Sequence, residues 1–367
     1  TPGYTCSALR EGLMCSLCEE GSYAKVDGTC SKCDAAIYIF LAVGSLVVLC
    51  ILVFLYRSSL QEPHFTSPAP KDLIAFTTSQ LITTCQVLYV SSAKSSDLPS
   101  PYSEVARVVS FFFDFKNAFS FECVASGLRD QMYPINLSLF FLPCILLLCS
   151  HLAYSAYYRG RYGGAWYGYA HFVNATGSWA MLCLIPLLYQ LAAPFHCESH
   201  PNGQETVHSY PYVICWKSEK HKAWLIITAV SLVLILIFLA AVLMAVLRFP
   251  SCFLKARLIT ESPNLLQSWN ELTFEHIRSS SSYELAGIHQ AKQFLYATHF
   301  LFFRVRPKKH WFVVVLLGRS FAISIAPLLT NRVVELVIML IALLTSSCLT
   351  LYHLPWPVFY SNITDVA

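Results

Sequence analysis

The sequence predicts an all-α membrane protein: about seven transmembrane helices behind a small disulfide-rich N-terminal stub. Three observations carry this. Only 13% of the 367 residues are charged and 56% are hydrophobic, against the roughly 25% charged residues that solvate an ordinary globule. Seven apolar runs approach the roughly 20 residues that a helix needs to cross a bilayer core of about 30 Å. The fifteen cysteines, when sorted by those runs, leave an even number on one side. The net charge of +4 is dispersed and makes no basic stripe, so a nucleic-acid partner is excluded.

The chain divides at residue 34 into a Cys-rich extracellular module, 1–34, and a polytopic helical domain, 35–367. The first run, 35–56 (AAIYIFLAVGSLVVLCILVFLY), has no charge. The second, 72–92, is rich in Thr, Ser and Gln. Lipid cannot satisfy those groups, so this run is expected to be a buried helix. The remaining runs are 135–156, 176–195, 223–247, 311–330 and 333–353. Pro143, Pro186 and Pro327 interrupt the third, fourth and sixth. Between runs, 93–134 contains VARVVSFFFDFKNAFSF, too charged to span, which reads as an amphipathic helix in the interface or as a re-entrant piece. Segment 249–310 has Leu265, Leu266, Trp269 and Leu272 at helical spacing, a serine run over 279–282, and FLYATHFLFF. That last run is too short to cross and is expected along the inner face. Thr1 falls inside a Cys-rich pattern and Ala367 just after an apolar run, so the expectation is the membrane-proximal part of a longer polypeptide.

Orientation follows from basic residues at helix ends. With the N-terminus outside, thirteen Lys/Arg fall in the inner loops and eleven in the outer segments, a narrow margin. Arg57, Arg248 and Lys308–Lys309, each at the inner end of a run, are the sharper sign. Cys50, Cys85, Cys144, Cys149, Cys183, Cys252 and Cys348 then lie in helices or inside, where thiols stay reduced. Cys6, Cys15, Cys18, Cys30, Cys33, Cys123, Cys197 and Cys215 all lie outside, an even number that four disulfides require. Read alone, the paired C-x2-C units at Cys15, Cys18, Cys30 and Cys33 also suit zinc. Spacing does not decide connectivity. The pairing adopted is Cys6–Cys15, Cys18–Cys30 and Cys197–Cys215, leaving Cys33–Cys123 to tie the stub to the 93–134 segment.

The stretch REGLMCSLCEEGSYAKVDGTCSKC resembles the membrane-proximal EGF-like or ephrin-receptor-like repeat of large surface proteins of protists and algae. In those proteins the repeat leads into a polytopic domain often described as TRP-like. The rest of the chain is similar to that domain in SQLITTCQVLYVSS, in PFHCESHPNGQETVHSYPYVICWKSEKH, in FRVRPKKHWFVVVLLGRSF and in LTLYHLPWPVFYSNITD. The C-x17-C-W hairpin and the R-P-x-x-x-W motif, with Arg319 eight residues after Trp311, are the most specific of these. The 93–134 segment lacks the Trp-Pro pair of that family. The resemblance implies either a membrane anchor for an adhesive or filament-linked EGF-repeat ectodomain, or a TRP-like cation or mechanosensitive channel. It implies a plasma or ciliary membrane, with lipid, extracellular or filament proteins and possible copies of itself as partners.

Arg319 near the middle of a run must meet an acid, carbonyls or water. Gln80 and Gln86 are the expected dry partners, and a hydrated cavity is the channel alternative. Glu335, with Arg332, reads as a water-exposed pair at an outer helix end. His151 and His353 read as interfacial, and Trp179, Trp224, Trp311, Trp356 and Tyr352 as aromatic belts. The sequons at Asn136, Asn174 and Asn362 are expected to stay unglycosylated, the first too near the membrane and the others inside. No Walker loop, HExxH or nucleophile elbow is present, so neither an enzyme nor a cofactor is expected. A seven-helix receptor is disfavoured: the third run ends HLAYSAYYRGR and the seventh lacks N-P-x-x-Y. No selectivity-filter sequence marks a channel.

Overall fold

The computed structural model describes residues 6–7, 9–12, 15–24, 29–59, 81–88, 123, 131–162, 168–201, 203–260, 282–302, 305–329 and 331–356. Gln80, Asn362, the 93–130 segment apart from Cys123, and the 265–281 stretch lie outside them. The stub makes two small antiparallel hairpins, β1 (Arg10–Glu11) with β2 (Leu17–Cys18) and β3 (Ser22–Ala24) with β4 (Cys30–Lys32). The turn at Gly21 has φ +77°, a conformation open to glycine without steric cost.

β4 runs almost directly into α1 (Ala35–Ser59), and Asp34 accepts a hydrogen bond from the Ile37 N–H at the helix start. Helix α2 covers 81–88. Then come α3 (Met132–Tyr162), α4 (Ala170–Ala192), a three-stranded antiparallel sheet of β5 (Cys197–Ser199), β6 (Glu205–Val207) and β7 (Tyr210–Ile214), and α5 (Glu219–Thr260). Helices α6 (Ser282–Ala297), α7 (His299–Phe302), α8 (Phe312–Ile325) and α9 (Arg332–His353) follow. Asn331 caps α9 by accepting from the N–H groups of Val333 and Val334, two of the donors that a helix start leaves without intrahelical partners.

Among the described residues, five helices are long and apolar enough to cross a membrane: Ile37–Ser59, Met132–Arg161, Ala170–Phe195, Glu219–Leu254 and Val333–His353. Phe312–Leu328 is a shorter apolar helix. The expected count of seven is not reached among the described residues. The second run is described only over 81–88, and α8 ends at Ile325 because Ala326–Leu328, which carries Pro327, winds as a 3-10 turn. Pro143 and Pro186 lie within α3 and α4 instead of ending them. Helix α5 is 42 residues long, about 63 Å at 1.5 Å per residue, so it runs well past the expected 223–247 into what reads as a loop in the sequence.

Burial identifies the centre of the bundle. The α4 span is 61% buried, against 12–33% for the other four spans. It packs against α1, α3, α6 and α8, and its inner surface carries Asn174, Ala175, Gly177 and Trp179. Small residues let helices approach closely where lipid gives no hydrophobic drive between them. One apolar core joins Tyr133, Leu137, Phe140, Trp179, Leu191 and Trp224 beneath the sheet. A second gathers Val242, Phe249, Leu301, Phe302, Phe312 and Trp356 at the opposite end. Trp179, Trp224 and Trp356 are therefore core residues, not belt residues, a correction to the sequence reading: Trp179 lends its indole N–H to the Phe140 carbonyl at 3.0 Å, and Trp224 is enclosed by the tilted ring of Tyr133 and the edge-on ring of Tyr210. A run of hydropathy marks a Trp near a span end but not which face it occupies. Tyr352 is exposed.

Candidate functional sites

Four disulfides close in the structure: Cys6–Cys15, Cys18–Cys30, Cys33–Cys123 and Cys197–Cys215, with Cα separations of 5.5, 5.6, 5.8 and 6.3 Å. Their eight cysteines are those assigned to one side from the sequence. Cys15, Cys18, Cys30 and Cys33 are each bonded to sulfur, so no thiolate among them remains for zinc. Cys197, Cys215 and His221 also lie close enough to suggest a metal, and they too serve otherwise. The two sulfurs are bonded to each other. The fully buried His221 accepts from the Trp216 N–H at Nδ1 (3.0 Å) and donates from Nε2 to the Pro194 carbonyl (2.9 Å). These bonds fix the neutral tautomer and tie the two ends of the hairpin together. Trp216 sits in the left-handed region, φ 63°, held there by this bond and the disulfide next to it.

Under the sheet lies a buried polar cluster that the sequence reading did not assemble. The Tyr210 hydroxyl of β7 accepts from Asn136 Nδ2 of α3 (3.1 Å) and from Gln190 Nε2 of α4 (2.7 Å). Tyr133 of α3 bonds the Thr228 hydroxyl of α5. The rings of Tyr133 and Tyr210 lie 5.0 and 5.2 Å from that of Trp224. Three helices and the sheet thus meet on two neighbouring sets of hydrogen bonds joined by ring contacts, in a setting where an unpaired polar group is costly. The signal was an Asn inside an apolar run, which the sequence reading took only as a sequon.

A polar stripe on α9 faces the bundle. Glu335, Ser346 and Thr350 are buried on the same helix face as Met339. Arg319 of α8, half-buried, donates to the Ser346 hydroxyl at 3.4 Å. Gln86, expected beside it, instead donates to the Leu182 carbonyl of α4 at 2.6 Å, and Gln80 lies outside the described residues. Glu335 is fully buried, correcting the reading of a water-exposed position: it lies in the first turn of α9, where that helix packs close to the turn after α8. Ser324 of α8 donates to the Ile185 carbonyl of α4 at 3.3 Å, next to Pro186 of the same helix.

At the far end, His171 Nδ1 donates to the Ser59 carbonyl at the end of α1 (2.6 Å). The buried His151 bonds the Tyr56 hydroxyl (3.2 Å) and stacks on Phe172, so it is packed between helices and not at an open interface. Asn174 of α4 accepts the Phe300 N–H at 2.9 Å, and the Phe300 ring fills the space over Gly177. This seats α7 against the central helix. None of these groupings combines a nucleophile, a base and a substrate-sized cleft. The cleft by Tyr189, His196, Ser209 and Leu328 is water-sized. The chain matches no protein-family model, no curated protein and no solved structure.

Proposed function

We propose that this chain is a non-enzymatic membrane anchor for an EGF-repeat adhesive or filament-linked extracellular region, with the disulfide-bearing end outside a plasma or ciliary membrane. The junction between stub and bundle carries the reading. Cys33 is bonded to Cys123 of the helical domain, and Asp34 caps α1. Only two residues separate strand β4 from helix α1. A pull on the stub is therefore carried by covalent bonds both into the start of α1 and into Cys123.

Chain direction supports seven crossings. Helix α1 starts two residues after Cys33 and ends at Ser59, where His171 at the far end of α4 binds it. Cys123 is back beside Cys33. An odd number of crossings between residues 59 and 123 fits these two points, and α2, whose Gln86 binds mid-α4, is the candidate for it. The helix-to-helix polar contacts of Arg319, Gln86 and Ser324 support a closed bundle that transmits load.

The test is reconstitution in liposomes with ion flux recorded at rest and under membrane tension, for wild type and Arg319→Gln. The anchor gives flux equal to empty liposomes throughout, and Arg319→Gln lowers only the yield of folded protein. Flux from wild type that Arg319→Gln alters at equal protein density overturns the anchor in favour of the TRP-like channel.

A further inference from the structure

We infer that the hairpin β5–β6 carries a transition-metal site, built from His196 and His208 and oriented by Glu198, that takes Zn2+ or Cu2+. The register makes the pair. Cys197 stands opposite Val207, so the next rung outward sets His196 against His208, and the His208 N–H donates to the His196 carbonyl at 2.9 Å. Their rings are stacked, centroids 4.6 Å apart and 29° from parallel. Side chains two apart on a strand share a face, and Glu198 is on the same face as His196. Its Oε2 lies 3.1 Å from His208 Nδ1.

That contact is the chemical point. A carboxylate that accepts from Nδ1–H leaves Nε2 as the unprotonated nitrogen, which is how proteins orient imidazoles toward a metal. Imidazole is a good ligand for Zn2+ and Cu2+, and neither requires a thiolate, which the neighbouring Cys197–Cys215 disulfide does not offer. The disulfide at the adjacent residue holds the strand in place, so little ordering remains for the metal to impose. Both rings are half-buried, leaving the remaining coordination positions to water. His200 points along the same strand but is held by the Thr206 hydroxyl at 2.7 Å. His196 also lines the cleft with Pro327 and Leu328, so a bound ion would sit beside the turn that ends α8. This inference is independent of which side of the membrane the hairpin faces and of the anchor reading.

The experiment is Zn2+ titration by calorimetry of the full chain in detergent micelles, with Cu2+ electron paramagnetic resonance in parallel. Wild type is expected to bind Zn2+ at a saturable submillimolar site, and Cu2+ to show two equatorial nitrogens. His196→Asn and His208→Asn should each weaken binding at least ~10-fold, and Glu198→Gln ~10-fold, as second-shell carboxylates generally do. His200→Asn should leave it unchanged. Thermal midpoints without metal identify any variant that misfolds, and Glu198→Gln, which alters only an exposed side chain, remains informative in that case. No saturable binding by wild type, or equal affinity in the His196→Asn/His208→Asn double variant, overturns the site.

Discussion

Replacing Gly177 with alanine puts a methyl group where the Phe300 ring already lies. A Cβ built there would overlap the ring edge and stand 2.7 Å from Phe300 Cδ1. In an unobstructed helix, Gly→Ala stabilises by about 0.5–1 kcal/mol. Here the overlap forces the ring or the helix to shift, which costs about 1–3 kcal/mol. The net expectation is a loss of about 1–2 kcal/mol, because the Phe300 backbone is also pinned to Asn174 and the ring cannot retreat alone. The decisive measurement is a double-mutant cycle with Phe300→Ala, read by reversible denaturant unfolding in micelles with circular dichroism. With the ring gone, Gly177→Ala should change sign and stabilise. Additive effects, with coupling below about 0.5 kcal/mol, would refute the claim that Gly177 is there for Phe300.

Three further expectations follow from the same contacts. Cys33→Ser with Cys123→Ser opens a loop of sequence separation 90, and the chain-entropy estimate for a loop of that length is about 4–5 kcal/mol, so the thermal midpoint of the double variant should fall and become insensitive to reductant at that bond. His221→Leu strips partners from the Trp216 N–H and the Pro194 carbonyl, and about 2–6 kcal/mol should be lost at roughly 1–3 per orphaned group, with slower Cys197–Cys215 oxidation seen by thiol trapping. Asn136 and Asn174 are buried and hydrogen-bonded, so endoglycosidase treatment of protein from a glycosylating host should produce no mass shift at either; a shift at Asn136 would mean that the sheet does not seat on α3.

Hydropathy and turn chemistry are local properties, and what depends on them was legible in the chain. The uncharged 35–56 run, the 333–353 run and the turn-rich segment between Cys197 and Cys215 need no partner to be recognised, because the bilayer and the short loop act on each segment separately. The cysteines sort by side for the same reason. What a residue faces is different, since it depends on which helices become neighbours. The sequence singled out the Thr- and Gln-rich second run as the buried one, yet the most buried described span is α4, whose Asn174, Gly177 and Gln190 acquire meaning only once Phe300 and Tyr210 arrive from far along the chain. Arg319 meets Ser346 instead of Gln86, because the rotation of α8 against α9 decides which polar group lies within reach. Trp224 and Glu335, both placed at water-exposed or interfacial ends by position alone, are fully enclosed. Sequence alone determines which segments leave water; only packing between segments, through contacts many tens of residues apart, determines which side of each one leaves lipid as well.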